Sequence, residues 1–238
     1  MPTASRSTAR PRRVSSDAPA PGADARPHGP ILRKLPVQAR GRQRVETLLD
    51  AAAEVIADVG VEAATMNEIA RRAGAAKGSL YQFFPDKDAI VAALAVRYAA
   101  QVEALHAASF ADDPRRVPLE RIVSGVIDPL ADFLEANPAY RHLRNLAPSC
   151  RGLSGDVRSP IAWETLDRSI VARVTGLLAV LAPSLSAADA ERHATILVTT
   201  GQALLALRDD SPSARRPMIL EDLKQLLLAY LVRLVAAA

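Results

Sequence analysis

The chain has 238 residues, of which 49% are hydrophobic, 24% charged and only 4% aromatic, a composition suited to a helical globular protein. It contains no apolar run of the ~18–20 residues that a membrane-spanning helix requires, and its N-terminus lacks the apolar segment of a secretory signal. Its one cysteine, Cys150, excludes an intramolecular disulfide, so a cytoplasmic location is expected.

Basic residues are concentrated at the beginning of the chain. Residues 1–44 contain ten Lys and Arg against two Asp, a net charge of +8, whereas the remaining residues sum to −4. Residues 1–36 are also rich in Pro, Ser and Ala, which predicts a disordered basic arm. Such an arm is either a solvated tail or a binding segment for a polyanion.

The first helix is predicted to begin near Arg40. Apolar residues recur from Val45 to Val59 at helical intervals, and Gly60 is expected to end the helix. This pattern indicates an amphipathic helix with one buried face.

A second helix is predicted to begin at Thr65, because Thr65 and Glu68 have the spacing of a capping box. In that motif the threonine oxygen accepts an N-terminal amide while the glutamate reaches back to the cap residue. Gly74 follows this helix and suits a left-handed cap.

Further helices are predicted along the rest of the chain, separated by Pro, Gly and Asp-rich breaks. Pro85 and Asp86 begin one of them, and the others are placed at about 118–136, 138–147, 160–182, 187–208 and 219–236. No stretch alternates as a strand does, so the predicted fold class is all-α.

Residues 73–87, AGAAKGSLYQFFPDK, place three aromatics within four positions of a chain that has few of them. On a helix, Leu80 and Phe84 share one face, which is expected to pack inward. The opposite face centres on Gly78 and Gln82. A helix as short as this one is not stable by itself, so both its length and the residues on this face need an explanation.

A small polar face of this kind suits a helix that is pressed into the major groove of DNA. A glycine lets the two surfaces approach, and a glutamine can contact a base edge. The neighbouring Ser79 and Tyr81 can bind phosphate oxygens, and Lys77 lies at the first turn. A helix, a glycine-containing turn and a short second helix together predict a helix-turn-helix.

The same residues resemble the DNA-binding signature of TetR-family transcriptional regulators over roughly residues 40–95. The matching segments are Thr65–Ala70, Ala73-Gly74, Lys77–Tyr81 and Phe84–Lys87. The resemblance implies a dimer with paired DNA-binding domains, a helical ligand-binding domain, and release from DNA when a small-molecule effector binds. After the arm at 1–36, it implies a DNA-binding domain at 37–86 and a ligand-binding and dimerisation domain at 87–238.

The resemblance also assigns candidate DNA contacts. Those expected at phosphate are Thr65, Tyr81 and Lys87, and those expected at bases are Asn67, Lys77, Ser79 and Gln82, with Gly78 allowing close approach. Two positions depart from the common pattern. Ala76 offers no side-chain cap to the second helix, and Phe83 cannot donate a hydrogen bond to phosphate.

The predicted helices at 187–208 and 219–236 carry broad apolar stripes. These are either core or, as the resemblance implies, the surface that pairs two copies in a four-helix bundle. The large side chains of the middle region are Phe133, Tyr140 and Trp163. They are either core residues or the walls of a ligand pocket.

Two other functional classes are considered. Glu103 and His106 have the spacing of half a di-iron site, but the sequence holds no second Glu-x-x-His pair, and no metal or cofactor is expected. Cys150 is interpreted as an ordinary thiol. The chain is therefore predicted to be a ligand-responsive repressor that binds a near-palindromic operator; the alternatives are a helical enzyme or metalloprotein, and an interaction adaptor that has lost DNA binding.

Overall fold

The computed structural model describes residues 39–110, 113–149 and 160–237. Within these ranges the secondary structure is helical, which confirms the all-α prediction. The helices are α1 (Ala39–Ala63), α2 (Met66–Arg72), α3 (Lys77–Phe83), α4 (Lys87–Ser109), α5 (Leu119–Ala136), α6 (Pro138–Ser149), α7 (Pro160–Leu181), α8 (Ala187–Asp210) and α9 (Arg216–Ala236), with short 3-10 turns at Pro114–Arg116 and Ser213–Arg215. The predicted arm and Cys150 lie outside the described residues.

Gly60 interrupts α1 close to the predicted end of the first helix. Its φ of +77° lies in the left-handed region, and Val61 to Ala63 form one further turn beyond it. The Nζ of Lys87, at the start of α4, donates hydrogen bonds to the carbonyl oxygens of Val61 and Glu62 at 2.9 and 3.0 Å. These bonds tie the beginning of α4 to the end of α1.

Of the two hydrogen bonds predicted for the capping box at the start of α2, the structure contains the one to Thr65. The Thr65 hydroxyl accepts a hydrogen bond from the backbone N–H of Glu68 at 3.2 Å, as a capping threonine does. The Glu68 carboxylate instead accepts from Arg71 one turn later, with Nε at 2.9 Å, so it does not reach back. Gly74 ends the turn after α2 with φ +59°, as predicted.

A first hydrophobic core joins α1, α2, α3 and α4 and continues into α6 and α7. Leu48, Leu80 and Phe84 are fully buried in it, and it includes Tyr140 and Trp163 from the middle of the chain. Burying each of the Leu48, Leu80 and Phe84 side chains stabilises the fold by roughly 1.5–3 kcal/mol. The short helix α3 is therefore held by tertiary packing.

A second core lies among α5, α8, α9 and the end of α7, with Leu178 and Leu223 fully buried at its centre. The expected boundary between the two domains, at residues 86 and 87, coincides with the start of α4. The first core crosses that boundary, because it contains residues of α3 as well as of α7. The short helix and the middle of the chain consequently share one packed interior.

Candidate nucleic-acid interface and ligand cavity

Helix α3 has two faces that differ sharply in exposure. Leu80 and Phe84 lie beneath it with no exposed surface, while Lys77, Gly78 and Gln82 are exposed on the other side. Apart from its chain neighbours and the backbone of its own helix, no atom of the described residues lies within 4 Å of a Cβ placed at Gly78. The predicted inward and outward faces are thus both found, and the outward face is open to a binding partner.

Ser79 and Tyr81 flank this open face. The Arg44 side chain, from α1, approaches Ser79, with its Nε donating to the hydroxyl oxygen over a long 3.4 Å. The Nζ of Lys77 lies 6.0 Å from the centre of the Tyr81 ring. Cationic groups from two helices therefore lie beside Ser79 and Tyr81, the residues whose hydroxyls were predicted to contact DNA.

Arg44 is a candidate contact that the sequence reasoning missed. Its charge was counted with the basic arm, together with Arg40 and Arg42, which are also exposed near the start of α1. The available signal was the placement of these three arginines on a helix that packs against the helix-turn-helix.

The beginning of α2 contributes two of the predicted residues. Thr65 and Asn67 are both exposed there. Because the Thr65 oxygen accepts its hydrogen bond from a backbone amide, its own O–H proton stays available as a donor. Ala76, before α3, makes no side-chain cap, as predicted, and Phe83 packs against the first core.

Lys87, which is predicted to bind a DNA phosphate, also forms hydrogen bonds within the protein. Two of the three protons of its ammonium group are directed to the carbonyls of Val61 and Glu62. One donor is left for the phosphate contact that the family resemblance assigns to it.

A cavity of about 430 Å³ lies between α4 and the C-terminal helices. Its wall is mainly aliphatic and includes Val126, Ile127, Leu130, Ile170, Val174 and Leu205. The exposed residues of the wall, Thr199, Ala203 and Ala206, all lie on α8. The cavity therefore reaches the surface along that helix.

The charged groups of the wall are paired. Arg144 lies 3.3 Å from the Asp167 carboxylate, which also accepts a hydrogen bond from Gln202 at 2.9 Å. Arg141 donates to the backbone carbonyl of Asp209 at 2.9 Å, and the Asp209 carboxylate accepts from Arg208 at 2.7 Å. These pairs connect α6, α7 and α8 around one part of the cavity.

His106 lies in the wall on α4 and is only 3% exposed. Burial lowers its pKa, so the imidazole is neutral at pH 7. Glu103, three residues earlier, instead pairs with Arg173 and accepts a hydrogen bond from Ser169 at 3.1 Å. In the described residues no group of three or more His, Cys, Asp or Glu could hold a metal ion.

The three aromatics of the middle region form one cluster with Tyr98. Phe133 lies edge-on to Tyr98 and to Tyr140, with ring centres 6.0 and 5.5 Å apart, and Tyr140 is edge-on to Trp163 at 5.3 Å. Tyr140 forms part of the cavity wall, while Phe133 and Trp163 pack against its ring. Tyr140 is thus the member of the predicted trio that a ligand would touch.

Helices α8 and α9 leave large apolar side chains in solvent. Those with more than 40% of their surface exposed are Ile196, Leu207, Met218, Leu226 and Val232. Large exposed apolar side chains concentrated on two helices are typical of an interface. None of the helices within the described ranges is long and apolar enough to cross a bilayer.

Two family models match the chain. One, described as bacterial regulatory proteins, tetR family, matches residues 48–94, and the other, described as tetracyclin repressor-like, C-terminal domain, matches residues 118–231. Between them they include the helix-turn-helix from α2 to α3 and the cavity-lining residues of α5 to α9, while the cavity-lining part of α4 lies between the two matches.

Individual proteins agree with these matches. The A-factor receptor protein of Streptomyces griseus is 44% identical over 66 residues, which are 28% of this chain and 24% of that protein. An uncharacterized HTH-type transcriptional regulator of Mycobacterium tuberculosis is 30% identical over 163 residues, 68% of this chain and 80% of that protein. The solved SmeT–triclosan complex has a TM-score of 0.60 at 20% identity and covers 80% of this chain and 90% of its own, which shows a common fold.

Proposed function

The chain belongs to the TetR family of DNA-binding transcriptional regulators, and we propose that it is a repressor that leaves its operator when a small molecule binds. Its relatives are regulators, not enzymes, so the enzyme alternative is set aside. The match to the tetracyclin repressor-like C-terminal domain supports repression. The SmeT–triclosan complex, which has the same fold and contains a bound small molecule, supports control by an effector.

The observation that carries the DNA-binding role is the exposed face of α3. Gly78 and Gln82 are exposed among the residues that the structure describes, while Leu80 and Phe84 are buried beneath the helix. In our proposal this face enters the major groove, where Gln82 contacts a base edge. Thr65 and Tyr81 bind the flanking phosphates.

The remaining candidates add to this contact. Asn67, Lys77 and Ser79 are proposed at bases, and Lys87 at phosphate through its third N–H donor. Arg44 joins them because its guanidinium lies against Ser79. A cationic side chain there adds electrostatic affinity that depends on salt concentration.

Two copies are proposed to pair through α8 and α9, which the sequence predicted at 187–208 and 219–236. The exposed apolar side chains of these helices, such as Leu207 and Leu226, support this surface. Pairing there would present two α3 helices to successive major grooves, about 34 Å apart on a near-palindromic operator.

The effector is proposed to act through the shared first core. This core contains Leu80 and Phe84 beneath α3, and also Val102, Tyr140 and Ile170 of the cavity wall. A ligand that shifts α4 or α7 would therefore alter the position of α3. In a dimer the two α3 helices would then no longer match the groove spacing.

The proposal is tested by titrating fluorescent DNA with the full chain and its variants. The probes are the region upstream of its own gene and a scrambled duplex of the same length. We expect preferential binding to the upstream region, with protection of two half-sites one helical turn apart. Equal affinity for both probes at physiological salt contradicts the operator assignment.

The adaptor alternative rests on the missing side-chain cap at Ala76. It predicts no binding to either duplex, so the same titration separates it from the regulator. The basic arm, residues 1–36, is proposed as a second DNA contact through Arg10, Arg12 and Arg13 on its charge alone. Its deletion is expected to flatten the salt dependence of binding.

A further inference from the structure

The cavity wall contains one histidine side chain, His106, that has no hydrogen-bond partner among the described residues. A neutral imidazole carries one N–H donor and one acceptor nitrogen. A ligand oxygen that reaches this ring inside the cavity adds a hydrogen bond that is shielded from bulk water, and it gains affinity from that bond.

The charged side chains of the cavity wall are neutralised by partners within the protein. Its two arginines, Arg141 and Arg144, and its two aspartates, Asp167 and Asp209, all have partners within the protein. An ionic ligand would enter a largely apolar enclosure without a counterion of its own. The cavity therefore disfavours both anions and cations.

The rest of the wall sets the shape of the ligand. Aliphatic side chains from α5, α7 and α8 line most of it, and its aromatic members are Phe110 and Tyr140. Burial of a flexible hydrocarbon against such a wall is favourable in proportion to the area removed from water. The wall offers little surface for stacking an extended ring system.

We propose that the effector is an uncharged, mainly aliphatic molecule with one hydrogen-bonding oxygen, such as an alcohol or carbonyl group, that pairs with His106. This inference rests on the proposed function only in calling the bound molecule an effector. His106 lies on α4, the helix that begins beside α3, so the contact is made on an element of the shared core.

The test compares ligands with the same chain and different head groups. Purified full-length protein is titrated with 1-decanol, decanoate and decylammonium at neutral pH by calorimetry. Quenching of Trp163, the single tryptophan, gives a second signal, because its ring packs against Tyr140 in the wall. We expect decanol to bind at least tenfold more tightly than either ion.

Three variants test the role of His106. His106→Leu removes both hydrogen-bonding atoms and is expected to weaken decanol binding about tenfold. His106→Gln keeps a donor and an acceptor and should retain most of the affinity. His142→Leu removes a histidine outside the cavity wall and should bind decanol as the original protein does.

The inference is overturned if decanol fails to bind, if either ion binds as tightly, or if His106→Leu binds decanol unchanged. Where His106→Leu does not fold, the head-group series still tests the proposal, because equally tight binding of either ion overturns it. The measurement needs no DNA. A failure to bind the operator in the DNA titration would therefore contradict the proposed repressor function without affecting the decanol result. A failure to bind decanol would likewise leave the proposed repressor function unaffected.

Discussion

The ammonium group of Lys87 donates a hydrogen bond to the carbonyl oxygen of Val61 over 2.9 Å, across 26 positions of sequence. The bond joins α4 to the end of α1 just beyond the left-handed Gly60. Lys87 was predicted to contact phosphate, and the structure adds a stabilising role that mutation can separate from DNA binding.

Replacing Lys87 with Met keeps the aliphatic stem and removes the donors. We expect the free energy of unfolding to fall by about 1–3 kcal/mol, because hydrogen bonds from a charged donor are lost. Equilibrium unfolding in urea measures this change in the free energy of unfolding. Lys77→Met is the matched control, since Lys77 is exposed on α3; it should leave stability within about 0.5 kcal/mol and weaken DNA binding. Equal stability of both variants would contradict the role given to Lys87.

Gly78→Ala is expected to separate stability from function. An added methyl group would have free space on its side facing away from the helix, as far as the described residues show, and alanine favours a helix by up to about 1 kcal/mol over glycine. The variant should therefore be as stable as the original protein or more stable. Because the methyl group stands between α3 and the groove, operator affinity should fall. Unchanged affinity in the DNA titration would place this face outside the interface.

Gln82→Ala is expected to change the sequence specificity of DNA binding, and Tyr81→Ala is expected to change its overall affinity. Loss of Gln82 should relax base preference at one position per half-site, since a good base contact is worth about 1–3 kcal/mol of discrimination. Loss of Tyr81 should weaken binding to operator and scrambled DNA alike, because phosphate contacts carry no sequence information. Binding to a set of single-base operator variants distinguishes them. The same loss pattern for both variants would refute the assigned roles.

Leu207→Asp is expected to produce monomers. Leu207 is 52% exposed on α8, and a charge on both sides of a two-fold apolar interface is strongly unfavourable. Sedimentation velocity reports the state, and operator affinity should drop with it. Val96→Asp, at a similarly exposed position on α4, should remain dimeric. If Leu207→Asp also stays dimeric, pairing uses another surface.

Stability should decrease as the pH falls below about 6.5, the pKa of an unfolded histidine. Burial lowers the pKa of His106 in the folded protein, so the unfolded chain binds the proton more readily. The stability is fully present above the unfolded pKa and is lost as the pH falls through the folded one. His142 and His193 have lowered pKa values as well and contribute in the same direction.

The contribution of His106 is isolated by comparing the original protein with His106→Gln. Urea unfolding between about pH 8 and pH 5.5 should show a smaller loss of stability in the variant. An identical pH dependence for the two proteins would mean that His106 takes up its proton in the fold without penalty.

The sequence by itself determined where the helices lie and which way α3 faces. Hydrophobic spacing from Val45 to Val59, the Thr65 cap and the left-handed Gly74 are local signals, and local geometry follows from them. The separation of Leu80 and Phe84 from Gly78 and Gln82 required only the 3.6-residue period of a helix. These features were correctly predicted because every residue involved is near its partners in sequence.

Only the tertiary structure decided the contacts that join distant segments. Arg44 reaches Ser79 across 35 positions, and Lys87 caps α1 across 26. The cavity is assembled from six helices, so neither its aliphatic wall nor the place of His106 within it could be predicted from any one segment. A helical period specifies which residues turn inward, but the partners they meet there depend on how the helices pack.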